Sequence, residues 1–257
     1  MIPIPDQIKV TRAKSSEKML LDKSRDWLGS STRTPGIHAS HLLDLRQAYW
    51  QIKHPLPLSD RLVTMFLVGK VLHGFVLGAV DGVVDLKVTD EGSKHSDILD
   101  LDYSPDKYIT RKGNKIVAEF KTSRSFYAPD SVEDLSIYIE QVLIYMAAEA
   151  VTEAEVWVLY LNLKEEGRTH PQFRCYRLSL TAEELDATTM WLKREKLRLT
   201  QALDSNDFQA LPLCRDFKCG RGNCEYFDDC KPEGRYGSGL KKWGDGEADQ
   251  VPSKRRS

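Results

Sequence analysis

The stretch SPDKYITRKGNKIVAEFKTSRS, Ser104 to Ser125, decides how this chain is read. Ile116, Val117, Ala118 and Phe120 have the make-up of a core strand, yet Glu119 and Lys121 sit among them. Side chains alternate faces along a strand, so Glu119 and Lys121 point one way and Phe120 the other. Asp106 to Thr110 and Lys115 to Lys121 flank RKGN, whose Gly113 and Asn114 supply turn chemistry, so the two segments are predicted to form a hairpin. That pairing brings the Asp106 carboxylate toward Glu119. Two carboxylates held close repel unless a cation lies between them. A hard divalent ion, magnesium or manganese, suits an all-oxygen pair. A lysine beside it can orient or help deprotonate a water and stabilise charge on a phosphate, which completes the parts for metal-assisted phosphodiester hydrolysis. The plainer alternative is a surface hairpin with a same-face Glu–Lys pair, which contributes little.

Working outward, Pro129, Asp130 and Ser131 open a helix predicted to reach Glu149, with Leu135, Ile139, Val142 and Met146 on its apolar face. Gln141 and Tyr145 fall one turn apart on it. AEVWVLYLNL and QFRCYRLSL read as strands. Thr181 with Glu184 forms a capping box for a helix to about Asp204. Upstream, Ser40 is placed to cap a helix carrying Leu42, Leu43, Leu45, Tyr49 and Ile52, which Pro55 and Pro57 end. Residues 59 to about 79 read as a second helix, which carries His73. Between 80 and 103, GVVDL reads as a short strand and EGSKHSD as a loop. This order gives an α/β fold with a central mixed β-sheet flanked by helices.

The full pattern is His73 on a helix, then Pro105-Asp106, twelve intervening residues, Glu119-Phe120-Lys121, then Gln141-x-x-x-Tyr145, then a cysteine cluster. It resembles the PD-(D/E)XK nuclease superfamily in its RecB-like branch, most of all the iron–sulfur exonucleases of CRISPR adaptation and their relatives in viruses and mobile elements. The resemblance covers most of residues 36 to 231. It implies a restriction-endonuclease-like core and a metal-dependent DNA exonuclease that prefers single strands or DNA ends. His73, Asp106, Glu119 and the Phe120 carbonyl would hold the metal, and Lys121 would be the catalytic lysine. Gln141 and Tyr145 would contact the DNA backbone and brace the site. Partners would be integrase proteins of CRISPR adaptation or viral replication and recombination proteins. Asp85, in GVVDL, rivals Asp106 as the metal-binding aspartate, since related nucleases often carry a G-x-x-D strand there. Asp100 and Asp102 are further rivals. A non-catalytic module that binds DNA ends or a partner remains the alternative function.

Four of the five cysteines, Cys214, Cys219, Cys224 and Cys230, share one C-terminal segment with the spacing C-x4-C-x4-C-x5-C. In the cytosolic chain expected here, such clustering of thiols favours a metal over disulfides. Four thiolates suit either zinc or an iron–sulfur cluster, and the resemblance implies [4Fe–4S]. The resembling exonucleases place one cluster cysteine far upstream. Here no cysteine precedes Cys175, so in a cluster all four ligands would come from the C-terminal segment, with Cys214 replacing the upstream one. Cys175, in an alternating strand, reads as a structural thiol.

Gross composition sets the outer limits. The chain has 257 residues, is 41% hydrophobic and 29% charged, and carries a formal net charge of −1. A core is affordable, and wholesale polyanion binding is not indicated, although a local basic groove is compatible with that balance. Arg111, Lys112, Lys115 and Arg124 are candidate phosphate contacts, and Phe126 and Tyr127 candidate stacking groups. The KREKLRL run from Lys193 reads as a solvated helix face. No apolar run reaches the roughly 18 residues of a membrane span, and the N-terminus lacks a signal peptide's apolar stretch, so a cytoplasmic protein is expected. The expected organisation is an N-terminal arm over 1–35, a nuclease core over 36–206, a four-cysteine module over 207–231 and a disordered tail over 232–257.

Overall fold

The computed structural model describes residues 14–29, 36–80, 87–89, 93–111, 113–129, 136–165, 167–214 and 224–230. The described chain falls into two compact units. One comprises residues up to 43 together with 57–197; the other comprises 44–56 together with the described residues from 198 onward.

In the first unit, a mixed sheet runs in the order β1-β4-β5-β6-β7: Lys87–Thr89, Lys107–Arg111, Asn114–Ser123, Glu153–Glu165 and Arg168–Ser179. β4 and β5 form the expected hairpin, with Lys107 opposite Ala118 and Arg111 opposite Asn114. Gly113, at φ 84°, turns the chain, a backbone state that glycine adopts at little cost. β5 and β6 are parallel, so the helix α4, Ser136–Glu149, must carry the chain back between them. β6 and β7 are antiparallel and close the sheet on that side.

Helices pack on both faces. The even positions of β5, Ile116, Ala118 and Phe120, form a buried cluster with Ile109, Trp157 and Val76. Val76 belongs to α3, Asp60–Val80. Each such aliphatic side chain contributes about 1.5–3 kcal/mol when fully buried, so this cluster fixes α3 on the sheet. His73 lies one turn before Val76 and shares its helix face. Glu119, with Val117 and Lys121, points to the other face, where α4 packs on β5 and β6. α1, Lys14–Gly29, lies against α3.

Several expectations change. The helix capped by Ser40 is instead a 3-10 turn, Ala39–Leu43, followed by α2, Leu45–Lys53, with exposed Ile52. Here Ala39, His41 and Leu42 are buried together, and tertiary burial overrides a continuous helix. The expected loop EGSKHSD contains β2, Lys94–Ser96, paired with β3, Leu101–Tyr103. Burial of Ser96, Leu99, Leu101 and Tyr103 forms this hairpin, and Asp100, at φ 49°, makes its turn. Helix α4 buries not one stripe but Ile144 to Ala148 without a break. Strand β7 begins four residues earlier than QFRCYRLSL implies and leaves Cys175 exposed, so this thiol is not a core group. The capping box is present: the Thr181 N–H donates to Glu184 Oε2 at 2.8 Å, and the Glu184 N–H donates to Thr181 Oγ1 at 3.2 Å. It opens α5, Ala182–Ser205.

The second unit gathers α2 with the C-terminal segment, whereas the sequence grouped 44–56 and 198–206 with the core. The reason is a set of side-chain contacts. Arg46 Nε donates to the Leu211 carbonyl at 3.1 Å and its Nη2 to the Gln209 carbonyl at 3.1 Å. The rings of Trp50 and Tyr226 stack with centroids 6.3 Å apart, and Phe208 lies against both Tyr49 and Trp50. Cys214 and Cys230 are buried and Cys224 is half-buried. Cys219, Asp85, Lys112, Asp130, Ser131, Leu135 and the tail 232–257 lie outside the described residues, as does the side chain of Arg111. No described helix is long and apolar enough to cross a membrane.

Candidate active site

Three elements of the first unit meet at the end of the β4–β5 hairpin. Asp106 occupies the bend just before β4. Its Oδ2 accepts the Phe120 N–H at 2.7 Å, so the aspartate grips the backbone between Glu119 and Lys121. Its Oδ1 lies 3.0 Å from His73 Nε2 of α3. The two are in contact without the alignment of a hydrogen bond, and the buried Nε2 has no hydrogen-bond partner. The His73 ring also stacks on Phe120, with centroids 5.7 Å apart and planes 20° apart.

Glu119 is the most buried member, at 1% exposure. Its Oε1 accepts from Lys121 Nζ, and its Oε2 is buried with no partner. A buried polar atom left without a hydrogen bond costs about 1–3 kcal/mol, more when charged, and such atoms are rare in native folds. Burial pushes the Glu119 carboxyl up to about 7. The Lys121 ammonium opposes that rise and the Asp106 carboxylate adds to it. For Lys121, burial acts to lower the pKa, but the carboxylates of Glu119 and Asp106 outweigh it and hold the group above its usual value. Contact with Asp106 raises His73 against the opposing effect of its partial burial.

These features fit a hard divalent cation. Asp106 lies beside His73 and is anchored next to Glu119, and the buried Glu119 Oε2 has no hydrogen-bond partner on the protein. Among the described residues no three His, Cys, Asp or Glu side chains are closed up around a single point. Lys121 takes one Glu119 oxygen in the position where a positive charge is favoured.

The other expected residues divide. Gln141 Nε2 donates to the Tyr145 hydroxyl at 2.7 Å, so the helical pair acts as one unit. Tyr145 is only 4% exposed, which leaves Gln141 as the half-buried group facing outward. Lys115 is not presented for a phosphate. Its Nζ bonds Glu149 Oε2 at 2.9 Å and lies 3.9 Å from the centre of the Tyr108 ring. Asp100 and Asp102 face His95 rather than Glu119: His95 Nδ1 is 2.9 Å from Asp102 and Nε2 is 3.4 Å from Asp100. Phe126 and Tyr127 are exposed, as is Arg124. In the KREKLRL run, Glu195 is buried and Lys196 bonds Asp100, so the face is only partly solvated.

Sequence reasoning missed the wall of the site. An open cavity of about 510 Å³ is lined by Met65, Phe66, Gly69 and Lys70 of α3 together with His73, Asp106 and Lys121. The available signal was the spacing of Phe66, Lys70 and His73, at i, i+4 and i+7, which places all three on one helix face.

No family model matches the chain, and no curated protein matches it. Among solved structures it is similar to a protein called SSO0001, with 16% identity over 84% of this chain and 96% of that one and a TM-score of 0.56. Looser superpositions are found with the alkaline exonuclease LHK-Exo from Laribacter hongkongensis (14% identity, 72% of this chain and 97% of that one, TM-score 0.45). They extend to a phage-related exonuclease from Haemophilus somnus 129PT (11% identity, 76% and 84%, TM-score 0.38). The chain therefore shares its α/β fold, a mixed sheet flanked by helices, with SSO0001.

Proposed function

We propose that the protein is a divalent-metal-dependent DNA nuclease of the PD-(D/E)XK superfamily, RecB-like branch, acting as an exonuclease on single strands or DNA ends. The observation that carries this reading is Glu119. It is a buried carboxyl with one oxygen on Lys121 and the other unpartnered, beside Asp106 and His73. A structural ion pair at this depth requires its remaining lone pairs to be satisfied. A ligand set does not.

Magnesium or manganese would be held by Asp106, Glu119, His73 Nε2 and the Phe120 carbonyl, and there supplies Lewis-acid polarisation of a phosphate and acidification of a bound water. The chain's own residues do the rest. Asp106, anchored on the Phe120 N–H, holds Glu119 and Lys121 in register. The Lys121 side chain lines the cavity, where its ammonium orients the attacking water and stabilises charge developing on the phosphate. Gln141, steadied by the Tyr145 hydroxyl, donates to the DNA backbone. Tyr145, being buried, braces the site rather than touching DNA.

In the second unit, Cys214, Cys219, Cys224 and Cys230 would hold a [4Fe–4S] cluster, with structural zinc as the alternative. Burial of Cys214 and Cys230 fits thiolates withdrawn from solvent to hold a metal. The cellular reading is DNA processing in the cytoplasm, in CRISPR adaptation with integrase partners or in the replication and recombination of a mobile element.

The test uses protein purified without oxygen, incubated with manganese and single-stranded DNA labelled at the 5′ or the 3′ end, alongside Lys121→Ala. Stepwise loss of one label by the wild type and not by the folded variant supports the nuclease and gives its polarity. No cleavage by either protein, with DNA still bound, replaces it with the end-binding module. Iron, sulfide and zinc analysis of the same preparation separates the two cysteine readings.

A further inference from the structure

One face of α3 extends the candidate site away from the reacting centre. Phe66, Lys70 and His73 follow one another along it, and Met65 and Gly69 complete the wall. At 1.5 Å per residue, Lys70 lies about 4.5 Å and Phe66 about 10.5 Å along the axis from His73. Met65 and Phe66 are 47% and 48% exposed, unusual for large apolar groups beside a cavity that also holds charged side chains. The volume of about 510 Å³ falls within the range of roughly 300–1,000 Å³ typical of small-molecule sites. A cation followed by an apolar, partly aromatic ledge matches the chemistry of a nucleotide, with its phosphate on the first and its base on the second.

We infer that this face of α3 is a nucleotide subsite for an unpaired strand. Lys70 takes the phosphate neighbouring the reacting one, and Phe66, supported by Met65, stacks the base attached to it. The inference rests on the nuclease reading and adds the physical cause of strand preference. An aromatic ring can stack only on a base whose face is open, and a duplex covers both faces of every internal base. Gly69 serves the same end. A Cβ built there meets nothing within 4 Å, so the helix has room for a side chain and carries none. Glycine inside a helix costs about 1 kcal/mol relative to alanine, and here it leaves the ledge between Phe66 and Lys70 open.

The experiment measures binding, with calcium in place of manganese, of a fluorescent oligo-dT, an abasic strand of the same length and a blunt duplex. Wild type is compared with Phe66→Ala, Lys70→Gln and Gly69→Leu, and manganese-dependent cleavage is measured in parallel. Wild type is expected to prefer oligo-dT over the abasic strand, and Phe66→Ala to lose that preference, with oligo-dT binding weakened roughly 5- to 100-fold. Lys70→Gln weakens both strands alike and lowers the salt slope by about 0.7. Gly69→Leu stays folded, melts no lower than wild type and still loses oligo-dT. A change in the ratio of dT to abasic binding is something a merely structural role of Phe66 does not produce. If wild type cleaves DNA while Phe66→Ala and Gly69→Leu bind oligo-dT like wild type, or lose strand and duplex equally, the subsite is overturned and the nuclease reading stands. If no protein cleaves but the ratio still collapses in Phe66→Ala, the subsite stands on a binding module. If wild type neither binds nor cleaves any of the three, both fall.

Discussion

Glu119 and Glu149 are the same residue type in the same unit, each bonded to a lysine, and the fold treats them in opposite ways. Glu149, at the last turn of α4, accepts from the Tyr103 hydroxyl at 2.5 Å, from Lys115 at 2.9 Å, from Lys94 at 3.4 Å and from the Tyr108 hydroxyl. Burial alone would raise its pKa, yet the bonds from Lys115, Tyr103 and Tyr108 bring it down to about 2. Glu119 has one donor and one empty oxygen, and burial pushes it up to about 7. A carboxylate that the protein itself saturates is a joint. One that the protein buries and leaves half-satisfied is, in the proposed function, the carboxylate that binds the metal.

The widest separation between the two comes from isosteric substitution. Glu119→Gln is expected to lower manganese-dependent DNA cleavage by roughly a hundred- to a thousandfold, with a smaller fall in the urea midpoint, because the amide oxygen can still accept from Lys121 but the buried ammonium then faces a neutral group. Glu149→Gln should do the reverse. It keeps the shape but loses charge-assisted bonds of about 1.5–3 kcal/mol each, and so destabilises by about 2–4 kcal/mol with the denaturant slope unchanged. Cleavage at a temperature where it remains folded should match wild type. A Glu149→Gln protein of full stability, or a Glu119→Gln protein of full activity, breaks the comparison.

Manganese should separate them next. A ligand that binds only the folded state at about a hundred times its Kd adds about 2.7 kcal/mol, a rise in Tm of roughly 5–10 °C for a domain of this size. Thermal melts of wild type and Glu149→Gln should show that rise from different baselines, and Glu119→Gln should not. Acid sharpens the other side. Glu149 has a folded pKa below its ordinary 4.5, so its contribution is complete above about 4.5 and is lost as pH falls toward 2. Stability measured across that window should fall more steeply in wild type than in Glu149→Gln. Parallel curves would show that the hub does not hold an ionised carboxylate.

The two glutamates were not equally visible in the sequence. Glu119 announced itself because strand alternation sets it beside Lys121 and a predictable Gly113 turn brings Asp106 to it, all within sixteen residues. His73 and the Gln141–Tyr145 pair could be placed on helices by periodicity alone. Glu149 looked like the end of an amphipathic helix. Its donors come from β2, β3, β4 and β5, and the β2–β3 hairpin reads as a loop in sequence because its burial depends on tertiary contacts that no local pattern encodes. For the same reason the sequence places α2 with the core, since the carbonyls that hold Arg46 lie more than 160 residues away in sequence.

Lys115 gives the smallest effect and the finest discrimination. In sequence it belongs to a basic hairpin beside Glu119 and Lys121, where a lysine is a candidate phosphate contact. In the fold its ammonium bonds Glu149 and covers the Tyr108 ring from 3.9 Å, with 41% of the side chain still exposed. An exposed ion pair and a cation–π contact contribute about 0.5–1 kcal/mol each, partly screened by salt. Lys115→Gln should therefore lower stability by about 1 kcal/mol at low salt and less at high salt. The dependence of DNA affinity on salt concentration should not change, because no phosphate contact is removed. Loss of one phosphate contact from a single strand would lower that slope by about 0.7. A variant whose slope falls by that amount while its urea midpoint stays fixed would move Lys115 from the Glu149 hub to the DNA, and would leave Glu149 held by its tyrosines and Lys94 alone.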